Sequence, residues 1–165
     1  MHAPCVDYQV ADIQNIPYEN STFDMVIANM MLYHVPNLDR GLSEVRRVLK
    51  PGGSFYCATY GEHGIMEFIN ETLGEYSISG RIGKTFTLQN GGESLGKHFA
   101  QVERLTREDS LAITYIPDFV DYVLSLSSLS GLENADAGLL TQAFEKEAVN
   151  GVLYVPKEYG IFICK

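Results

Sequence analysis

Asp12, Asn29, His34 and His63 are the side chains whose types and positions could do chemistry in this sequence. Asp12 closes a run of alternating apolar and polar residues. A carboxylate there can only accept hydrogen bonds, from a ligand or from the backbone of its own turn. Asn29, with Met30 after it, follows an apolar stretch, Phe23 to Ala28. The carboxyl end of such a strand is where open α/β sheets bind ligands, although an asparagine there also caps turns. Met30, Met31 and Leu32 read as packing rather than as ligand contacts. His34 comes a few residues later, and an imidazole titrating near pKa ~6.5 is a ready general base. Its bland reading is a structural hydrogen bond beside a helix. His63 follows the strand end Tyr60-Gly61 and reads as a second residue facing a site there or as a surface-loop histidine. Asp24, at the start of its strand, reads as structural.

The elements that must position these groups follow from patterning. Val6 to Val10 alternates and reads as a strand. Pro17 and the turn-rich residues around it end that pairing. Phe23 to Ala28 (FDMVIA) is β-branched and almost continuously apolar, the pattern of a strand buried on both faces of a parallel sheet. A helix is expected from Asp39 to Leu49, with Leu42, Val45, Val48 and Leu49 on one face and Arg46, Arg47 and Lys50 at its negative end. Pro51-Gly52-Gly53 stops it, and Ser54 to Tyr60 is the next strand. Two strands flanking a helix form a βαβ unit with parallel strands and a right-handed crossover, so the fold class is α/β. Beyond Gly61, helices are expected at 65–76, 91–100, 117–126 and 139–149, and strands at 101–105, 110–115 and 159–165. No internal repeat or low-complexity linker divides the chain, which reads as a single domain over 1–165.

Composition narrows the function classes. The 165 residues are 45% hydrophobic and 20% charged, which fits a globular chain. Such a chain buries about two-thirds of its unfolded surface without staples. Twelve basic against 21 acidic side chains give a net charge of −9, which argues against phosphate-backbone binding and hence against nucleic acid. Cys5, Cys57 and Cys164 are odd in number and scattered, so neither a disulfide framework nor a structural metal site is expected. The longest apolar run, Met30 to Val35, is too short for a bilayer and no signal peptide precedes it, so a cytoplasmic protein without membrane contact is the default.

The run D-I-Q-N-I-P-Y-E-N-S-T-F-D-M-V-I-A from Asp12, followed by a helix ending R-R-V-L-K-P-G-G-S-F, resembles the class I S-adenosylmethionine-dependent methyltransferases, in particular the small-molecule type 11 group. Each piece alone is common, and the ordered set is specific. The later runs F-A-Q-V-E-R, P-D-F-V-D-Y-V and Y-G-I-F-I-C-K look like the family's tail with its antiparallel end strands. The resemblance implies that Asp12 accepts a hydrogen bond from the cofactor's adenine amino group and that the N–H of Ile13 meets the ring. It places Asn29 and Met30 on the cofactor and substrate rim. Transfer of a methyl group needs close in-line placement, so positioning supplies much of the acceleration. His34 is the candidate base for acceptors that must lose a proton.

The resemblance also implies what is not in this sequence. A complete member begins with a strand, a glycine-rich turn, a helix and a second strand ending in an acid. Only about ten residues precede Asp12, against the 30 or more of a βαβ unit. Gly61-x-x-Gly64 and Gly91-Gly92 read as turns. The chain is therefore expected to be the C-terminal portion of a methyltransferase domain, an N-terminally truncated, partial Rossmann-like sheet with a helical cap around 65–100. S-adenosyl-L-methionine binding is expected to be weak or absent. The strand Phe23 to Ala28 should have an uncovered edge, a liability that a second copy would cover as a homo-oligomer. Phe68, Tyr76, Phe86 and Phe119 could line an apolar pocket for a small-molecule acceptor, or could be core. A short-chain dehydrogenase is disfavoured, since no tyrosine has a lysine four positions later. A degenerate methyltransferase domain acting as a non-catalytic interaction module is the other alternative.

Overall fold

The computed structural model describes residues 6–74, 85–126, 132 and 135–165. Helix α1, Leu38–Val48, starts where Asn37 accepts a 3.0 Å hydrogen bond from the Arg40 amide. Asp39 in its first turn and Arg46 and Arg47 in its last complement the helix dipole. Gly41, Leu42, Val45 and Val48 are its buried stripe. On either side lie β1, Phe23–Asn29, and β2, Leu49–Tyr60, paired in parallel. This is the expected strand–helix–strand unit. Pro51-Gly52-Gly53 does not separate helix from strand as expected, because β2 starts at Leu49. The three residues lie in an irregular stretch where the register jumps from Phe23↔Leu49 to Met25↔Ser54. Gly52, at φ +80°, supplies the left-handed turn that this requires.

Helix α2 (Ile65–Thr72) and the short α3 (Gly91–Gly96) follow, then β3 (Val102–Ile113), α4 (Ile116–Ser125), α5 (Ala137–Glu147) and β4 (Leu153–Cys164). Pro117 opens α4, and Asp136 caps α5 by accepting from the amides of Gly138 and Leu139 at 2.7 and 3.0 Å. The sheet order is β1-β2-β4-β3, with β4 antiparallel to both neighbours. The two strands expected at 101–105 and 110–115 are one. Val102 to Ile113 pair residue by residue with β4, and the polar middle survives because it lies exposed on an outer strand. β4 runs through Pro156, which pairs with Ser110 outside the Tyr159–Cys164 stretch that also borders β2. There β4 is an edge, and proline is tolerated.

Two expectations fail for related reasons. Residues 6–10 form no strand, and Asp12 makes only an isolated bridge to Asn15. Alternation alone cannot hold a strand that lacks a neighbour. β1 is not buried on both faces: Ala28 is buried, but Met25 and Ile27 are 51% and 67% exposed. Among the described residues, β1 pairs only with β2. One face of the sheet packs under α1 and α3 through Leu42, Val45, Phe55, Phe86 and Phe162. The other face is bare around Met25 and Ile27. A second cluster joins α2, α4 and α5 to Leu153 and Val155 at the far end of β4. Cys57 and Cys164 are buried thiols joined by a hydrogen bond, which with burial suppresses ionisation of Cys57. Cys5 and Tyr76 lie outside the described residues.

Candidate functional site

Because β1 and β2 are parallel, their carboxyl ends emerge side by side. A cleft of about 520 Å³ opens there, and the two strand ends contribute Met30 and Tyr60 to it. Met30 sits at φ +52°, which costs a side-chain-bearing residue roughly 1–2 kcal/mol. Its N–H donates to the Ala58 carbonyl at 3.1 Å, which ties this bend to β2. Tyr60 pairs with Tyr159 across the β2–β4 ladder, so both rings reach the cleft, where Tyr122 of α4 joins them.

The cleft floor is built by close approach to Glu158. The Gly61 amide donates to the Glu158 carbonyl at 2.7 Å. A Cβ on Gly61 would overlap the Glu158 carboxylate, and one on Gly64 would lie 2.9 Å from the Glu158 amide nitrogen. These glycines are more than a turn, because a side chain at 61 would push the Glu158 carboxylate aside and one at 64 would crowd the Glu158 backbone. That carboxylate accepts from the His63 amide and from Gln89 Nε2, both at 2.8 Å. Thr87 donates its hydroxyl to Glu62 at 3.1 Å.

Burial, with Tyr33 and Glu62 adding to it, pushes the Tyr60 phenol up to about 12, and burial also raises Tyr33 and Tyr122. All three remain hydrogen-bond donors at neutral pH. His63 is raised by its 3.1 Å contact with Glu67, with Glu158 and Glu62 adding to it. A raised folded-state value means that this contact favours folding below the unfolded histidine's pKa and fades as pH rises through the folded value. An NMR titration of the His63 ring should give a midpoint above the ordinary histidine value. Glu67→Gln should bring it down, and an unchanged midpoint would count against the pairing.

A second hollow, of about 380 Å³, runs along the free edge of β1. It gathers Asp12, Ile13 and Asn29 with Tyr18, Met25 and Ile27. Asp12 Oδ1 accepts from the Gln14 amide at 2.9 Å and from Gln14 Nε2 at 3.2 Å. These bonds, helped by Arg40, hold its carboxyl below the usual range. The loop that presents Asp12 is clamped to α1. Arg47 donates to both Glu44 oxygens, to the Ile16 and Tyr18 carbonyls and to Asn20 Oδ1 at 2.8–3.0 Å. Glu44 accepts from the Ile16 amide at 3.0 Å, and Arg40 Nε donates to the Gln14 carbonyl at 2.8 Å.

The candidate residues thus fall into places that can be compared. Asp12, Ile13 and Asn29 share the hollow, and Met30, next along the chain, lines the cleft. His34 is the exposed last residue of a single-turn 3-10 helix, Leu32–His34, whose Leu32 is buried, and its ring lies 4.4 Å from that of Tyr33. Tyr33 in turn stands 4.7 Å from Tyr60. Asp24 pairs with Lys50 at 2.8 Å, as its structural reading has it. Phe86 belongs to the core under α1 and α3, and Phe68 and Phe119 pack with Phe144 in the second cluster, so none of these three lines the cleft. The aromatic residues that do are tyrosines. Tyr60 was visible in sequence as a strand end, whereas Tyr122, Tyr159 and Glu158 reach the cleft only through the sheet's return strand and α4. Among the described residues no cluster of side chains is arranged to hold a metal ion.

Comparison with known proteins follows this geometry. Residues 1–57 match the model of a methyltransferase domain family. Over 45 residues the chain is 53% identical to a sterol 4-C-methyltransferase of Caenorhabditis elegans, which covers 27% of this chain and 14% of that protein. Over 112 residues it is 27% identical to a ubiquinone/menaquinone biosynthesis C-methyltransferase of Bartonella henselae, covering 67% of this chain and 42% of the relative. The chain therefore spans less than half the length of either relative. Among solved structures, a presumed methyltransferase of an antibiotic biosynthesis pathway from Anabaena variabilis superposes with TM-score 0.61 at 14% identity, covering 100% of this chain and 75% of that one. A presumed methyltransferase from Bacillus halodurans gives 0.56 at 15% identity, covering 96% and 76%. At such identities the structures speak for the fold, a Rossmann-like α/β sheet, and the sequence match to the family model is confined to about the first third of the chain. The chain is thus similar over residues 1–57 to methyltransferase domains, and it shares the fold of solved proteins of that kind.

Proposed function

We propose that the chain supplies the acceptor side, and the adenine end of the cofactor side, of methyl transfer to a small molecule. The observation that carries this is the adjacency of the two concavities: consecutive residues, Asn29 and Met30, line the hollow beside Asp12 and the cleft beside Tyr60. The hollow suits a purine. It is apolar through Ile13, Val26 and Ala28, and it offers the exposed Asp12 carboxylate as an acceptor for an amino group. Asp12, Ile13, Asn29 and Met30 would hold the cofactor, which when bound supplies an electrophilic methyl on sulfur. Asp12 is the only charged residue among the described lining, so the hollow has nothing to grip the cofactor's amino-acid end. This fits weak binding. The residues of this chain orient the acceptor between tyrosines and exclude water from the cleft. His34, across Tyr33 from Tyr60, is the base assigned to acceptors that must shed a proton. The reading extends to a single cytoplasmic domain. No helix among the described residues is long and apolar enough to cross a membrane.

Titrating S-adenosylmethionine into the ¹⁵N-labelled chain tests this. The expected result is weak, saturable shifts at the amides of Asp12, Ile13, Asn29 and Met30. Shifts confined elsewhere, or tight binding measured by calorimetry, would overturn the assignment.

One observation favours a second reading, a non-catalytic module that works by self-association. Among the described residues no strand pairs with the outer edge of β1, which with its exposed Met25 and Ile27 presents an apolar strand edge. Paired antiparallel about Val26, two copies would set Met25 of each beside Ile27 of the other.

A further inference from the structure

Among the described residues lining the two concavities, only Met30 has a left-handed backbone. Asn29 and Met31 both line the hollow, while Met30 between them lines the cleft. The reversal happens at φ +52°, immediately after Asn29 pairs with Ala58 at the last rung of the β1–β2 ladder. Ser21 and Asn150 also have positive φ, but both lie in turns and carry short polar side chains. A long unbranched side chain gains nothing from this conformation, and glycine would adopt it freely. Core packing does not explain the strain. Met31 packs against the cluster under α1, whereas Met30 is half-buried and belongs to neither hydrophobic cluster of the described residues. Backbone strain outside the core is kept where it holds a side chain for use.

We propose that Met30 is a positioning residue, the wall between the adenine-side hollow and the acceptor cleft, whose side chain sets how closely the occupants of the two approach. This deepens the reading of those concavities as the two halves of one transfer site, and rests on it. Methyl transfer succeeds only when donor and acceptor atoms are held close and in line, so a side chain standing between them governs the reaction without taking part in it. A thioether on an unbranched chain suits the task, because it fills an irregular gap and yields when an occupant presses on it.

Four of the five methionines report on the arrangement: Met25 and Met31 line the hollow, Met30 and Met66 the cleft. The chain is labelled with methionine carrying ¹³C in its methyl group, and the Met30 signal is assigned by its loss in Met30→Leu. Adenosine is titrated as the hollow's probe and 2-naphthol, a flat aromatic alcohol suited to the tyrosine rings, as the cleft's. Adenosine is expected to shift the Met31 methyl and not Met66, 2-naphthol to shift Met66 and not Met31, and each to shift Met30. With both probes present, the Met30 methyl should show NOEs to protons of each. Met30→Gly should melt about 2–4 °C above Met30→Ala, the reverse of the usual order, because only glycine is released from the strain. A Met30 methyl that answers one probe alone, or an alanine variant as stable as the glycine one, would overturn the wall while leaving the two concavities as sites. If adenosine leaves Met25 and Met31 unmoved, or 2-naphthol leaves Met66 unmoved, the wall falls together with the reading of that concavity.

Discussion

Phe162→Ala should cost about 3–5 kcal/mol of unfolding free energy, the largest effect of any single substitution considered for this chain. Phe162 is 2% exposed and lies in β4 opposite Cys57 of β2 and Arg104 of β3. Its ring meets Phe86 edge-on at 5.9 Å, and it comes so close to Gly91 that a Cβ there would be 2.9 Å away. The hole left by alanine would be walled by two strands, a buried ring and the start of α3. None of these can move inward without breaking a ladder, so the site cannot collapse and the cavity term is paid in full. Urea unfolding monitored by circular dichroism measures it. A loss below about 1 kcal/mol would mean that the layer between sheet and α3 is less closely packed than its geometry states.

The contrast between the two faces of this sheet also explains which parts of the fold could be read from sequence. Helix α1 was legible almost to the residue, because Asn37, the spacing of Leu42, Val45 and Val48, and the terminal arginines all act locally. β1 was legible as a strand but not in its burial. FDMVIA has the composition of a strand covered on both sides, and only the arrangement of the rest of the chain decides that Met25 and Ile27 meet solvent. Residues 6–10 show the same limit from the other side: the alternation is there, and the neighbouring strand is not. β3 was split in two because its polar middle has no local strand signal. Its ladder to β4 is a long-range property. The candidate site divides in the same way. Asp12, Ile13, Asn29 and Met30 lie along one short stretch, and the structure gathers them at the free edge and carboxyl end of β1. The cleft's own chemistry could not be read. Glu158 and Tyr159 come from the return strand, about a hundred residues after Tyr60, and the aromatic residues that looked available, Phe68, Phe86 and Phe119, are core.

Ile27→Lys should leave stability within about 0.5 kcal/mol of the parent, because the side chain is 67% exposed and gives up little burial. Its effect on association should be large. In an antiparallel pairing of two β1 strands about Val26, residue 27 of each copy lies beside Met25 of the other, and the lysine ammonium would have to be stripped of water against a thioether and a hydrocarbon wall. Charged residues on edge strands block pairing in this way. Sedimentation velocity across a concentration series should show the parent chain shifting toward dimer as concentration rises and the variant staying monomeric throughout. Ile27→Val keeps the apolar face, has a side chain suited to strands and should still associate, which separates loss of the interface from loss of the fold. A parent chain that sediments as a monomer at every concentration would remove the dimer. A variant that associates as well as its parent would move the interface away from β1, leaving Met25 and Ile27 as a bare face that some other surface of the chain must compensate in solution.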